Sequence, residues 1–232
     1  MEILRVEGLT KKFGDFKAVD NVSFSVKEYE ILSIIGPNGA GKTTLVNLIT
    51  KKLNPDSGRI FFYDKDITRL TARMINKLGI SRTFQLVSPY RRLTVSENIL
   101  VSALQFNTPR SELQEIMINL GLEKYKDVKV QNLSFGIQKL LELAMVLVQH
   151  PKLLILDEPA AGLLLHERRK IVDFLKGLEN KITLIVIEHD MGVVFDLAKR
   201  IIVMDKGKII ADGPPEEIAN NKTVREIYLG EA

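Results

Sequence analysis

The chain has 232 residues, 45% hydrophobic and 27% charged, with 33 basic and 29 acidic side chains leaving a net charge of +4. That length fits one large domain or two small ones with a sizeable core, and the balance is that of a soluble globular chain. No run approaches the ~20 apolar residues of a membrane span, the opening MEILRVEGLTKKFG lacks the apolar core of a secretory leader, and the absence of cysteine removes disulfide frameworks and thiolate metal sites and suits the cytosol.

Strand patterns come first. ILRVEGL (3–9), AVDNVSFSV (18–26) and GRIFFYD (58–64) alternate or are β-branched, and this β-rich part is expected to form an antiparallel side sheet. EILSIIG (30–36) is a short apolar run, as in a strand buried on both faces. Directly after it stands GPNGAGKTT: Gly36, Pro37, Asn38, Gly39, Ala40, Gly41, Lys42, Thr43 and Thr44. It matches G-x-x-x-x-G-K-[ST] between a strand and a helical pattern over 43–52. The glycines let backbone N–H groups wrap phosphates without a Cβ in the way. Lys42 would reach the β- and γ-phosphates, and the Thr43 hydroxyl would hold Mg²⁺. This is read as a nucleotide site, with an unliganded glycine-rich turn as the alternative. ISRTFQ (80–85) ends on Gln85, whose amide oxygen could face Mg²⁺ or an attacking water, or serve structure alone.

Helical patterns follow at 95–104 and 111–120, and this run reads as inserted because it separates two strand-rich regions. NLSFGIQKLLELA (132–144) makes Ser134 a natural N-cap. The helix, over 137–149, has an apolar face of Ile137, Leu140, Leu141, Ala144 and Val148. A helix start with a small residue nearby can also hold an anion, and the stretch alone leaves both roles open. LLILDEPAAGL (153–163) puts Asp157 and Glu158 directly after four apolar residues. Asp157 there can order Mg²⁺ and Glu158 can polarise an attacking water as general base; acidic residues closing a strand in a solvated loop are the plain alternative.

A helix over 166–178 separates the buried strand run LLILD (153–157) from a third such run, ITLIVIEH (182–189). His189 at its end could hydrogen-bond a γ-phosphate, or be a partly buried histidine satisfied by backbone. His150 and His166 receive no role. RIIVMDKGKIIADG (200–213) reads as a hairpin turning at Lys206 and Gly207, followed by short helices. The basic pairs Lys11-Lys12, Lys51-Lys52, Arg91-Arg92 and Lys199-Arg200 read as solvated faces rather than a nucleic-acid or membrane patch.

Buried strands alternating with helices imply an α/β fold with a mostly parallel sheet covered on both sides. Lys42, Gln85, Asp157, Glu158 and His189 all fall at or beyond strand carboxyl ends, the edge where open α/β sheets bind ligands. The chain divides as residues 1–88, β-rich with the P-loop; 89–150, helical; and 151–232, the return to the core.

The motif order resembles that of the ABC transporter ATPases over nearly the whole length. The resemblance implies the ABC ATPase fold as a single domain over 1–232, ATP and Mg²⁺ as cofactors, and ATP hydrolysis coupled to transport. Phe13 in KKFGDF then matches the aromatic residue that stacks on adenine, and LSFGIQ stands where the family has its LSGGQ signature. By resemblance, Ser134 and Gly136 contact the γ-phosphate bound to the other subunit of a head-to-tail dimer. Phe135 and Ile137 replace a glycine and a polar residue of that signature, and Leu164 and Leu165 replace an Asp or Asn followed by Pro in the D-loop.

DITRL, LGISRTFQ, RLTVSENIL, DEPAAGL and the ending REIYLGEA are similar to the ATPase subunits of branched-chain amino-acid importers. The span from Gln85 to the signature is short for one of that system's two ATPase types. The implied partners are a second ATPase subunit, transmembrane permease subunits and an extracytoplasmic binding protein, with no nucleic acid, at the cytoplasmic face of the membrane. Tyr90, Arg91 and Arg92 would dock the permease. Lipopolysaccharide-export ATPases are the alternative for the substrate. A soluble ABC ATPase acting on ribosomes or DNA is disfavoured by the single compact cassette, and an ATP-binding protein without turnover is disfavoured by Glu158.

Overall fold

The computed structural model describes residues 1–83, 89–106 and 108–229. β1 (Glu2–Phe13) pairs antiparallel with β2 (Phe16–Lys27). β3 (Ile31–Ile35) lies in a different sheet, while β4 (Ser57–Phe62) and β5 (Lys65–Asp66) complete a four-stranded antiparallel sheet of order β2-β1-β4-β5. The expected side sheet is therefore present.

The second sheet contains β3, β6 (Ile80–Arg82), β7 (Leu153–Asp157), β8 (Thr183–Ile187), β9 (Arg200–Asp205) and β10 (Lys208–Gly213), in the order β10-β9-β3-β8-β7-β6. Its pairings are parallel except for the β9–β10 hairpin. Every residue of β3 and β8 is buried, which is why their apolar runs lack alternation. The register sets Ile187 of β8 beside both Ile34 of β3 and Asp157 of β7. Three strand ends thus reach one edge at the same level.

The helices are α1 (Lys42–Ile49), α2 (Ala72–Leu78), α3 (Val95–Ala103), α4 (Arg110–Asn119), α5 (Phe135–Leu147), α6 (Leu165–Lys176), α7 (Met191–Leu197), α8 (Pro215–Asn220) and α9 (Lys222–Leu229). Sequence periodicity anticipates α1 and α3 to α6 within a few residues at each end, and misses α2 and α7, each of seven residues. Two turns are too short for an apolar stripe to repeat. Both carry an N-cap: Thr71 accepts from the Met74 N–H at 3.4 Å and Asp190 from the Val193 N–H at 3.2 Å.

One core lies between the side sheet, α1 and β3, with Leu4, Leu9, Val22, Leu45, Leu48 and Ile60 buried. A second lies under α3 and α5 against β7 and β8. On the anticipated face of α5, Leu140, Leu141, Ala144 and Val148 are buried, whereas Ile137 is only partly so.

Two of the basic pairs depart from the solvated reading. Lys51 is 8% exposed and its ammonium donates to the Thr68 carbonyl. Arg200 grips Asp212 through two bonds of 2.6 Å and donates to the Ser25 carbonyl at 2.9 Å. Their flanking carbonyls and carboxylate, distant in sequence, supply the partners that make burial tolerable. Among the described residues, no helix is long and apolar enough to cross a membrane.

Candidate active site

The loop 36–44 runs from the end of β3 into α1, so its first helical residue is Lys42 itself. The turn requires glycine at position 41, where φ is +101° and a Cβ would be driven into the Ala18 carbonyl of β2. Backbone bonds close the other side: the Gly207 N–H donates to Ala40 at 3.0 Å and the Asp20 N–H to Gly207 at 2.8 Å. The β9–β10 turn therefore clamps the loop against β2. Lys42 Nζ donates to the carbonyls of Gly36 at 2.5 Å and Pro37 at 3.0 Å. Burial holds its pKa below the usual lysine value, against the opposing pull of Glu158 and Asp157.

The loop opens on a cleft of about 310 Å³ lined by Phe13, Phe16, Ala18, residues 38–44, Glu158 and Ile187. Phe13 and Phe16 face each other across the β1–β2 turn and are 51% and 61% exposed. Sequence reading named Phe13 and missed Phe16, although both stand in the same KKFGDF stretch.

Asp157 closes β7, and its carboxylate pairs with the guanidinium of Arg82 on β6, a side chain with no solvent exposure. Arg82 also donates to Asn47 Oδ1 of α1 at 2.6 Å. Glu158 adopts a left-handed backbone, φ +50°, a conformation that costs a non-glycine residue roughly 1 kcal/mol. Its N–H donates to the Ile187 carbonyl at 2.9 Å. His189 Nδ1 lies 3.5 Å from the Glu158 carboxylate. With 60% of its side chain exposed, His189 is not the partly buried, backbone-satisfied histidine allowed by the sequence.

Glu188, which sequence reading passed over, is 1% exposed. Its carboxylate accepts from the Ala160 N–H at 2.9 Å and the His189 N–H at 3.2 Å. Burial raises its pKa, and those two N–H bonds oppose the shift. Gln85 lies outside the described residues.

Ser134 caps α5, its Oγ accepting from the Ile137 N–H at 3.4 Å, as anticipated. Neither Ser134 nor Gly136 lines the P-loop cleft. A Cβ on Gly136 would collide with the Glu167 carboxylate of α6, so within this chain the close approach at that glycine is to Glu167. Leu164 offers no side-chain cap to α6. Glu167 accepts from the Leu164 N–H at 3.1 Å, the back-reaching half of a capping box, and no side chain at position 164 accepts from the first-turn N–H groups.

Thr43 and Asp157 offer hard oxygen donors, and among the described residues no group of three or more His, Asp or Glu forms a metal cage. That donor set fits Mg²⁺, which is commonly bound through one or two carboxylates plus substrate phosphates and retained waters.

A phosphate-cradling turn into a helix N-terminus, with an acidic strand end across the cleft, defines the class: a P-loop nucleoside triphosphatase. Residues 19–161 match the family model described as ABC transporter, and residues 208–232 match that of the branched-chain amino acid ATP-binding cassette transporters. The high-affinity branched-chain amino acid transport ATP-binding protein LivG of Salmonella typhimurium is 39% identical over 99% of this chain and 98% of its own.

Among solved structures, a nucleotide-free ATP-binding cassette from an ABC transporter superposes with a TM-score of 0.89 at 37% identity, covering 100% of both chains. A dimeric ATP-binding cassette in a post-hydrolysis state with ADP and phosphate gives 0.81 at 27% identity, over 92% of this chain and 99% of the other. The chain belongs to the ABC transporter family, as one of its ATP-binding and ATP-hydrolysing cassettes.

Proposed function

We propose that this cassette drives uptake of branched-chain or other hydrophobic amino acids, working as a head-to-tail dimer on the cytoplasmic face of the membrane. The observation that carries the reading is the likeness to a branched-chain amino acid transport ATP-binding protein over 99% of the chain, joined by the C-terminal family match at 208–232. Helical residues 89–150 would form the part that meets the permease.

In this reading the loop 36–44 wraps the phosphates, Lys42 leaves its two carbonyl partners for the β- and γ-phosphates, and Phe13 stacks on adenine. Glu158 takes the proton of the water that attacks the γ-phosphorus, releasing ADP and phosphate. His189, 3.5 Å from that carboxylate, orients the water or the γ-phosphate, and Gln85 supplies its amide oxygen. A Mg²⁺ ion held by Thr43, Asp157 and Gln85 would neutralise charge developing on the phosphates.

Ser134 and Gly136 would complete the partner subunit's site, which agrees with their lying away from the cleft of their own chain. Around them, Phe135, Leu164 and Leu165 are 58%, 63% and 67% exposed, an apolar surface suited to a subunit interface. A second such surface includes Tyr90, Leu100, Val101 and Leu104, with Arg91 and Arg92 exposed beside Tyr90. Buried Asn98 braces it, donating to the carbonyls of Tyr90 at 3.2 Å and Thr94 at 2.8 Å. This surface would dock the permease.

Reconstitution with permeases and a binding protein of a branched-chain amino-acid importer should give ATP-dependent uptake of labelled leucine, lost with Glu158→Gln. ATP-driven lipid movement, or ATPase activity that no permease binds, would overturn the proposal.

A further inference from the structure

We infer that Lys139 is a positioning residue for Glu158, holding the loop 158–162 from the carbonyl side so that the general base keeps its geometry. The inference rests on the reading of Glu158 as base in a composite site. Lys139 lies on α5, one turn beyond Ser134 and Gly136, and is 7% exposed. Its Nζ donates to the Glu158 carbonyl at 3.0 Å and the Ala161 carbonyl at 2.5 Å. The same ammonium sits 5.2 Å from the centroid of the Phe135 ring, and that ring lies against Gly162.

The loop is thereby gripped between opposite charges. Glu188 accepts the Ala160 N–H on one side, and Lys139 satisfies the two carbonyls on the other. A charged donor on a backbone carbonyl gives a stronger bond than a neutral one. The grip also accounts for the left-handed backbone at Glu158, a strained conformation that persists only where its surroundings over-determine it. Sliding or relaxation of this loop would carry the Glu158 carboxylate away from its place beside His189.

Mixed dimers of the full-length chain test the assignment. One chain carries Lys42→Ala and the other Ser134→Arg, so the mixed dimer keeps one working site. That site takes Lys42 and Glu158 from the Ser134→Arg chain and the signature from the Lys42→Ala chain. Lys139→Met added to the Ser134→Arg chain should lower kcat on the order of 10- to 100-fold, with KM for ATP nearly unchanged. The same change on the Lys42→Ala chain should leave activity within about 2-fold of the parental mixture. Lys139→Arg on the Ser134→Arg chain should recover most of the loss, because a guanidinium also donates to two carbonyls.

Equal loss from either chain, or loss from neither, would overturn the role of Lys139. A parental mixture with no activity would overturn the composite site instead. Lys139 would then be judged by Lys139→Met in the otherwise unchanged protein, where an unaltered kcat refutes it. If Lys139→Met fails to fold by its melting curve, Lys139→Gln is read by the same criteria.

Discussion

Arg82→Met removes a guanidinium with 0% exposure that faces the 13%-exposed carboxylate of Asp157 and bonds Asn47 at 2.6 Å. Breaking a buried ion pair by deleting one partner costs about 3–5 kcal/mol, since the other charge stays behind uncompensated. Asp157 keeps some contact with water, which places Arg82→Met near the lower end, about 3 kcal/mol. Unfolding entropy of about 2.1 cal/mol/K per residue amounts to about 0.5 kcal/mol/K for a chain of this size. The melting temperature should therefore fall by about 6 °C. Asp157→Asn strands the fully buried guanidinium instead and should cost nearer 5 kcal/mol, or about 10 °C. The double variant leaves no unpaired charge, so its loss should undercut the sum of the single losses by about 2 kcal/mol or more. Calorimetry on the three variants decides the matter. Additive losses would show that the pair is not coupled and that Arg82 stabilises the fold through contacts other than Asp157.

Glu142 has its pKa raised to about 7 from 4.5, mainly by burial, with Lys139 pulling the other way. Between those values the unfolded chain binds fewer protons than the folded one, so stability falls as pH rises through that window. Glu142→Gln should raise the melting temperature at pH 8 and leave it unchanged at pH 4; the full shift would be worth ~3 kcal/mol, cut to ~1 by solvent screening at this half-buried position. A gain equal at both pH values would point to packing instead. Arg91→Glu with Arg92→Glu should spare the ATPase activity of the isolated subunit and weaken its co-purification with permease, whereas lost ATPase activity would assign these arginines to the site or the fold.

Local patterns made much of this molecule legible in the sequence. The loop 36–44, the apolar runs of β3, β7 and β8, and the stripe of α5 each announce themselves within a dozen residues. The capping box at the start of α3, with Thr94 and Glu97 bonded reciprocally at 3.2 and 2.7 Å, is equally local but was not among the sequence expectations. Much of what escaped was built from distant pairs. Arg82 meets Asp157 across 75 residues, Glu188 meets Ala160 across 28, and Lys139 meets Ala161 across 22. A buried arginine or lysine at such a position has no periodic signature; only the strand order β3-β8-β7-β6 puts β6 beside β7, and with it the partner that makes burial tolerable. The departures at Leu164 and Leu165 were visible in the sequence, whereas the bond from the Leu164 N–H to Glu167 emerged only from the helix start itself.

Glu158→Gln tests the central claim most directly. The amide keeps the side chain's size and leaves Lys42 and the loop untouched, but it cannot accept the water's proton. Purified protein should bind ATP with unchanged affinity, hydrolyse it roughly 10²-fold or more slowly, and run at twice the monomer mass in size exclusion with ATP present. Hydrolysis at the unmodified rate would contradict the assignment of Glu158 as general base and, with it, the account of this cleft.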